Sequence, residues 1–162
     1  MTDKTLAMKL LDGKKVLYDT AVYPDTIRDA EEVAAYLDVA PAQVFKTLVV
    51  RPPAKTGPQR RPLLVLVPAN RSLDLKALAR ELGVKKVKLA SHSEAEALTG
   101  LQVGGISPLA LLNKGFRIYV DENARGLDAI YVSAGQRGVQ IKVAAADLVA
   151  VTRARYAPVA GD

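Results

Sequence analysis

Val44-Phe45-Lys46-Thr47-Leu48-Val49-Val50, the Pro-rich stretch Arg51–Pro62, and Leu63-Leu64-Val65-Leu66-Val67 follow one another in the chain. Both flanks are built of residues that fit a pleated strand. The second is almost continuously apolar, as expected of a strand buried on both faces, so it belongs at the centre of a sheet. Arg51–Pro62 reads as a long hairpin connection. The first flank carries one cation. Strand side chains alternate faces, so Lys46 shares a face with Val44, Leu48 and Val50, and Thr47 shares the other with Phe45 and Val49. An ammonium on an apolar face is costly unless it reaches water or an anion. Two readings stay open: a lysine snorkelling from a sheet edge, or one that holds a phosphate or polarises a substrate oxygen.

Upstream, Thr2 is placed to cap a first helix with Leu6, Leu10 and Leu11 on its inner stripe, ending at Gly13. Val16–Tyr23 reads as a strand and Asp29–Leu37 as a helix, with Ala30, Val33, Ala34 and Leu37 at helical spacing. Pro41 opens a short turn. Downstream come a helix over Asp74–Leu82 closed by Gly83, a strand over Val84–Leu89, and a helix from the capping box Ser91/Glu94 to near Gly100. Phe116–Val120, Ala129–Ser133 and Gly138–Val143 read as strands, and Ala144–Val151 as a terminal helix. Helices and strands are interspersed without regular βαβ alternation. That predicts one mixed α/β domain over 1–162, a mixed sheet or partly closed barrel with helices packed outside, rather than a doubly wound parallel sheet.

The 162 residues suit a single domain with a real core, at 49% hydrophobic and 25% charged. No apolar run approaches a membrane span and no signal segment opens the chain, so a cytoplasmic protein is expected. The absence of cysteine excludes disulfides, zinc-thiolate sites and a thiol nucleophile. His92 is the single histidine; no carboxylate cluster joins it for a metal and no Gly-x-Ser-x-Gly elbow for a triad. No cofactor is expected. The net charge of +6 favours a polyanionic partner. Its excess sits in three clusters: Arg51, Lys55, Arg60 and Arg61; Lys85, Lys86 and Lys88; Arg153 and Arg155. Each is either solvated surface or a phosphate contact.

Two further segments can carry chemistry. In Thr99-Gly100-Leu101-Gln102-Val103-Gly104-Gly105-Ile106-Ser107-Pro108, two glycines permit close backbone approach, and Ser107-Pro108 reads as a cap with Pro at the first helical position before Leu109–Leu112. The segment is either a loop that needs glycine or a cradle of amides for a carbonyl oxygen. In Tyr131-Val132-Ser133-Ala134-Gly135-Gln136-Arg137-Gly138 a strand runs into a Gly-spaced turn. Ser133 either orients a water or an amino group or satisfies local backbone; Arg137 is a phosphate contact or a surface charge.

Together, Val44–Leu48, Leu73–Lys76, Leu82–Val87, Thr99–Pro108 and Ile130–Gly138 resemble the YbaK/EbsC family, the trans-editing relatives of the insertion domain of bacterial prolyl-tRNA synthetase. The resemblance covers nearly the whole chain in order, and it implies a mixed α/β domain around a curved, barrel-like mixed sheet with helices packed outside. It implies deacylation of mischarged tRNA(Pro) carrying Cys or a small residue such as Ala, with tRNA and prolyl-tRNA synthetase as partners. It implies a catalytic set of Lys46, Gly104, Gly105, Ile106 and Ser133, and substrate contacts from Tyr23, Thr47, Ser107, Pro108, Gly135 and Arg137. Gln140 stands where Cys-type members are expected to carry an acid. Two alternatives accompany this reading: a non-catalytic module that binds tRNA or a synthetase, and a hydrolase of another small activated ester.

Overall fold

In the computed structural model, which describes residues 3–52 and 60–162, the chain runs α1 (Leu6–Gly13), β1 (Tyr18–Val22), α2 (Ala30–Leu37), β2 (Phe45–Arg51), β3 (Leu63–Pro68), β4 (Ser72–Leu73), α3 (Leu75–Leu82), β5 (Lys88–Leu89), α4 (His92–Thr99), β6 (Arg117–Asp121), β7 (Ala129–Ser133), β8 (Val139–Ala144), α5 (Ala145–Thr152), β9 (Arg155–Ala157) and β10 (Ala160–Gly161). The strands form a five-stranded sheet ordered β5-β2-β3-β6-β9, a three-stranded sheet ordered β1-β8-β7, and the pair β10-β4. β3 is central, antiparallel to β2 and parallel to β6, and every residue in it is buried. Among the described residues one parallel bridge, Val44 to Tyr131, joins the two larger sheets. The fold is mixed α/β, as its pattern predicts.

Alternation along β3 divides the interior. Leu64 and Leu66 face the main core with Phe45, Val49, Ile118 and Val120, closed by Ile130 and Ile141 of the second sheet and by Leu11 and Leu148 of α1 and α5. Leu63, Val65 and Val67 face a second cluster against Leu78 and Ala79 of α3. Lys46 pairs with Val67 and Thr47 with Leu66, so the two lie on opposite faces as alternation requires.

Local signals explain most helix ends. Asp74 accepts the amide of Ala77 at 3.0 Å, and Gly83 closes α3 at φ 71°. Ser91 and Glu94 form the reciprocal capping box of α4. Several expectations are corrected. Thr2 lies outside the described residues, and Thr5 caps α1 by accepting the amide of Met8. The buried stripe is therefore Ala7, Met8 and Leu11, while Leu6 is 69% exposed. The strand read over Val84–Leu89 shrinks to two residues, and the helix after Ser107 is a 3-10 turn, Pro108–Ala110, followed by a second over Leu112–Lys114. The tail after α5 carries two unforeseen strands. Buried Asp121 holds it, accepting the amides of Val159 at 3.1 Å and Ala160 at 2.9 Å.

Candidate active site

A cleft of ≈ 710 Å³ opens at the Lys46 end of β2. That volume is typical of small-ligand sites. β3 pairs β2 along one edge from Phe45 to Val50, whereas β5 pairs the other only at Val50 and Arg51. The edge left open between Phe45 and Leu48 forms one wall, so consecutive residues from both faces line it. Lys46 is half-buried there. Its ammonium donates to the Ala69 carbonyl at 3.4 Å, a long bond, and carries three protons, so two remain for a ligand.

The opposite wall is the loop 102–106. Val103 is clamped twice: its amide donates to Glu96 Oε2 of α4 at 2.9 Å, and its carbonyl accepts from Arg137 Nε at 2.7 Å. Gly104 has φ 91°, a conformation that costs glycine little. Gly105 is constrained differently. A Cβ there would lie 2.9 Å from the Arg137 amide nitrogen and 3.0 Å from Gln136 Cα, so only glycine lets the loop seat on the β7–β8 turn. The Gly105 amide is spent on Gln102 O at 2.8 Å, while Gly104 and Ile106 line the cleft, and no hydrogen bond among the described residues uses their amides. Behind them, fully buried Ser107 accepts the amide of Leu109 at 3.2 Å and fixes the 3-10 turn.

The floor comes from the second sheet. Ser133 and Gln140 are register partners across β7 and β8. Ser133 Oγ accepts the Gly135 amide at 3.1 Å, tying the turn to the strand end. Gln140 is only 6% exposed, and its Oε1, like Thr47 Oγ1, is buried with no partner among the described residues. Both residues line the cleft, and a buried acceptor without a partner is costly. Buried Tyr23 completes this side; its amide donates to the Gly138 carbonyl at 2.9 Å.

Of the residues singled out in the sequence, Lys46, Thr47, Gly104, Ile106, Ser133, Tyr23 and Arg137 line the cleft. Gly105, Ser107, Pro108 and Gly135 stand behind its lining and shape the loop and the turn. Lining residues that pattern did not assign to the site include Arg28, Asp29, His92, Glu96 and Gln102. Arg28 and Asp29 precede α2 and His92 opens α4, so only packing brings them to β2. No set of three His, Asp or Glu side chains able to hold a metal occurs among the described residues.

Comparison with known proteins adds a family to this geometry. A family model of the aminoacyl-tRNA editing domain matches residues 24–151. The chain is 36% identical over 158 residues to an Enterococcus faecalis protein named as a Cys-tRNA(Pro)/Cys-tRNA(Cys) deacylase, EbsC, covering 96% of this chain and 93% of that one. It is 32% identical over 111 residues to the proline–tRNA ligase of Streptococcus equi subsp. equi, covering 68% of this chain but only 17% of the ligase. Among solved structures it superposes on a hypothetical protein with a TM-score of 0.84 at 24% identity, covering 96% of this chain and 99% of that one. A protein described as a trans-editing enzyme for prolyl tRNA synthetase gives 0.80 at 23% identity, with coverage of 99% and 100%. These likenesses to solved structures concern the fold alone.

Proposed function

The chain belongs to the aminoacyl-tRNA editing domain family, and from that premise we propose that it is a trans-editing deacylase that hydrolyses mischarged tRNA at the cleft beside Lys46. The observation that carries the reading is the meeting, on one cleft, of Lys46, the Gly104–Ile106 loop and Ser133, three segments far apart in the sequence. The substrate is tRNA(Pro) bearing Cys or a small residue of the Ala type, with prolyl-tRNA synthetase as a partner in delivery. The reading treats 1–162 as one editing domain and places its work in the cytoplasm. No helix among the described residues is long and apolar enough to cross a membrane.

The ester of an aminoacyl-tRNA is already activated, so the protein's task is positioning and charge stabilisation. Lys46 directs its two remaining ammonium protons at the 3′-terminal phosphate or ribose oxygens. The Gly104 and Ile106 amides face the carbonyl oxygen as it becomes an oxyanion. Water adds to the carbonyl carbon, the bond to the ribose oxygen breaks, that oxygen takes up a proton, and the amino acid leaves. With Cys as the aminoacyl group, its own thiol can replace water and depart as a thiolactone. Ser133, Gln140 and Thr47 meet the aminoacyl group. Gly105, Ser107, Pro108 and Gly135 hold loop and turn from behind, and Tyr23 and Arg137 close the sides.

The test is a panel of tRNA(Pro) charged with Cys, Ala, Ser and Pro. Release of at least one non-cognate residue well above the buffer rate is expected. Turnover of none, with tRNA binding intact, would instead make the chain a binding module.

A further inference from the structure

Apart from Lys55, which lies outside the described residues, the three basic clusters of the sequence are separate in the chain, yet the sheet brings them to one end. Arg51 pairs with Lys88, Val50 with Leu63, and Leu63 with Arg117, so the end of β2 and the starts of β5, β3 and β6 are level. The Arg117 guanidinium donates to the Arg61 carbonyl at 3.3 Å, which keeps the entry to β3 beside β6. β9 is parallel to β6, with Arg155 beside Tyr119, and therefore enters from the same end behind Arg153. Every strand of the five-stranded sheet thus brings a cation to one rim: Lys88, Arg51, Arg61, Arg117 and Arg155. At about 4.8 Å per strand the row spans roughly 19 Å. Lys85 and Lys86 extend it, and all of these except half-buried Arg117 are exposed. Glu94 pairs with Arg51, and Glu81 is the other acid on the approach to β5.

We infer that this rim is a second RNA-binding surface that tracks the phosphate backbone of the acceptor stem while the 3′ end occupies the cleft. The inference rests on the deacylase reading for the identity of the RNA. Lys46 lies five residues back along β2 from Arg51, or about 17 Å at ~3.3 Å per residue. Even a fully stacked strand, with an axial rise of ~3.4 Å per phosphate, covers that distance in about five nucleotide steps. A chain anchored by its end in the cleft therefore carries its next phosphates to the rim. An acidic protein surface fits less well. Protein interfaces are centred on buried apolar or aromatic anchors, and among the described residues Leu89 is the one exposed large hydrophobic at this rim. Nucleic-acid interfaces are polar and strongly positive.

The test is the variant Lys86→Gln/Lys88→Gln/Arg153→Gln/Arg155→Gln, compared with wild type on full-length aminoacyl-tRNA, on an aminoacylated adenosine, and in direct tRNA binding across a salt series. Loss of four phosphate contacts lowers the slope of log affinity against log salt by about 3. The KM for full-length substrate should rise at least tenfold, with turnover of the short substrate unchanged. An unchanged slope and KM would overturn the inference. Wild-type tRNA binding with a defect seen only when prolyl-tRNA synthetase is added would overturn it in favour of a protein partner. The binding arm reads the rim even if no deacylation occurs, so failure of the deacylase reading would show separately.

Discussion

Gly105→Ala isolates the contact on which the cleft's loop depends. Its backbone lies outside the left-handed region, so alanine brings no conformational penalty there, only volume. The added Cβ would sit 2.9 Å from the Arg137 nitrogen and 3.0 Å from Gln136 C and Cα, all backbone atoms that cannot rotate away. Relief to an ordinary 3.4 Å contact requires a shift of about 0.5 Å between loop and turn. Overpacking of this kind costs about 1–3 kcal/mol. At roughly 2–4 °C per kcal/mol for a chain of this size, Tm should fall by about 2–12 °C. Displacements approaching 1 Å in a positioned site cost on the order of 100-fold in rate, so kcat should fall by about 10- to 100-fold. Gly104→Ala is the control. Its nearest neighbours are at 3.5 Å, so space is adequate, but φ 91° is strained for alanine. It should lose about 1–2 kcal/mol through backbone strain with a smaller loss of kcat. Thermal melts and single-turnover deacylation read both variants. A Gly105→Ala protein with wild-type Tm and kcat would refute the packing argument.

Three further outcomes are expected. Glu96→Ala removes the acceptor of the Val103 amide and should lower kcat about tenfold, whereas Glu96→Gln keeps an acceptor oxygen and should stay near wild type; equal losses in single-turnover assays would count against the clamp. Gln140→Leu deletes a buried acceptor that has no partner among the described residues, so melts should show Tm rising by a few degrees while kcat/KM for the preferred aminoacyl-tRNA drops tenfold or more; unchanged discrimination across the panel would remove Gln140 from substrate contact. The amide of Ser91, and next the guanidinium of Arg51, hold the Glu94 carboxyl below its ordinary range. Its stabilisation is thus complete above an ordinary value near 4.5 and is lost as pH falls through the depressed one, so Tm of Glu94→Gln should vary less with pH below about 4.5 than that of wild type.

What the sequence disclosed follows the range of the interactions involved. The capping box at Ser91, the stop at Gly83 and the buried run Leu63–Val67 are local or periodic, and the fold uses each as read. β9 and β10 span three and two residues, too short to show a period, and depend on Asp121 some 38 positions away. At the site, alternation separated the faces of Lys46 and Thr47. That both reach one cleft follows from the short pairing of β5, which no local pattern encodes. The two glycines were visible as a pair. Their different reasons, conformation at Gly104 and contact at Gly105, needed the position of the β7–β8 turn. Nor could the sequence show that Glu96 and Arg137 grip the same residue, Val103.

The proposed reaction hydrolyses the ester beside Lys46. Its most direct test is the single-turnover rate of Lys46→Ala on the most reactive member of the charged-tRNA panel, with folding checked by Tm. Loss of a charge-assisted contact worth about 1.5–3 kcal/mol predicts a fall of about 10- to 100-fold with Tm little changed. A well-folded Lys46→Ala protein that deacylates at the wild-type rate would contradict it.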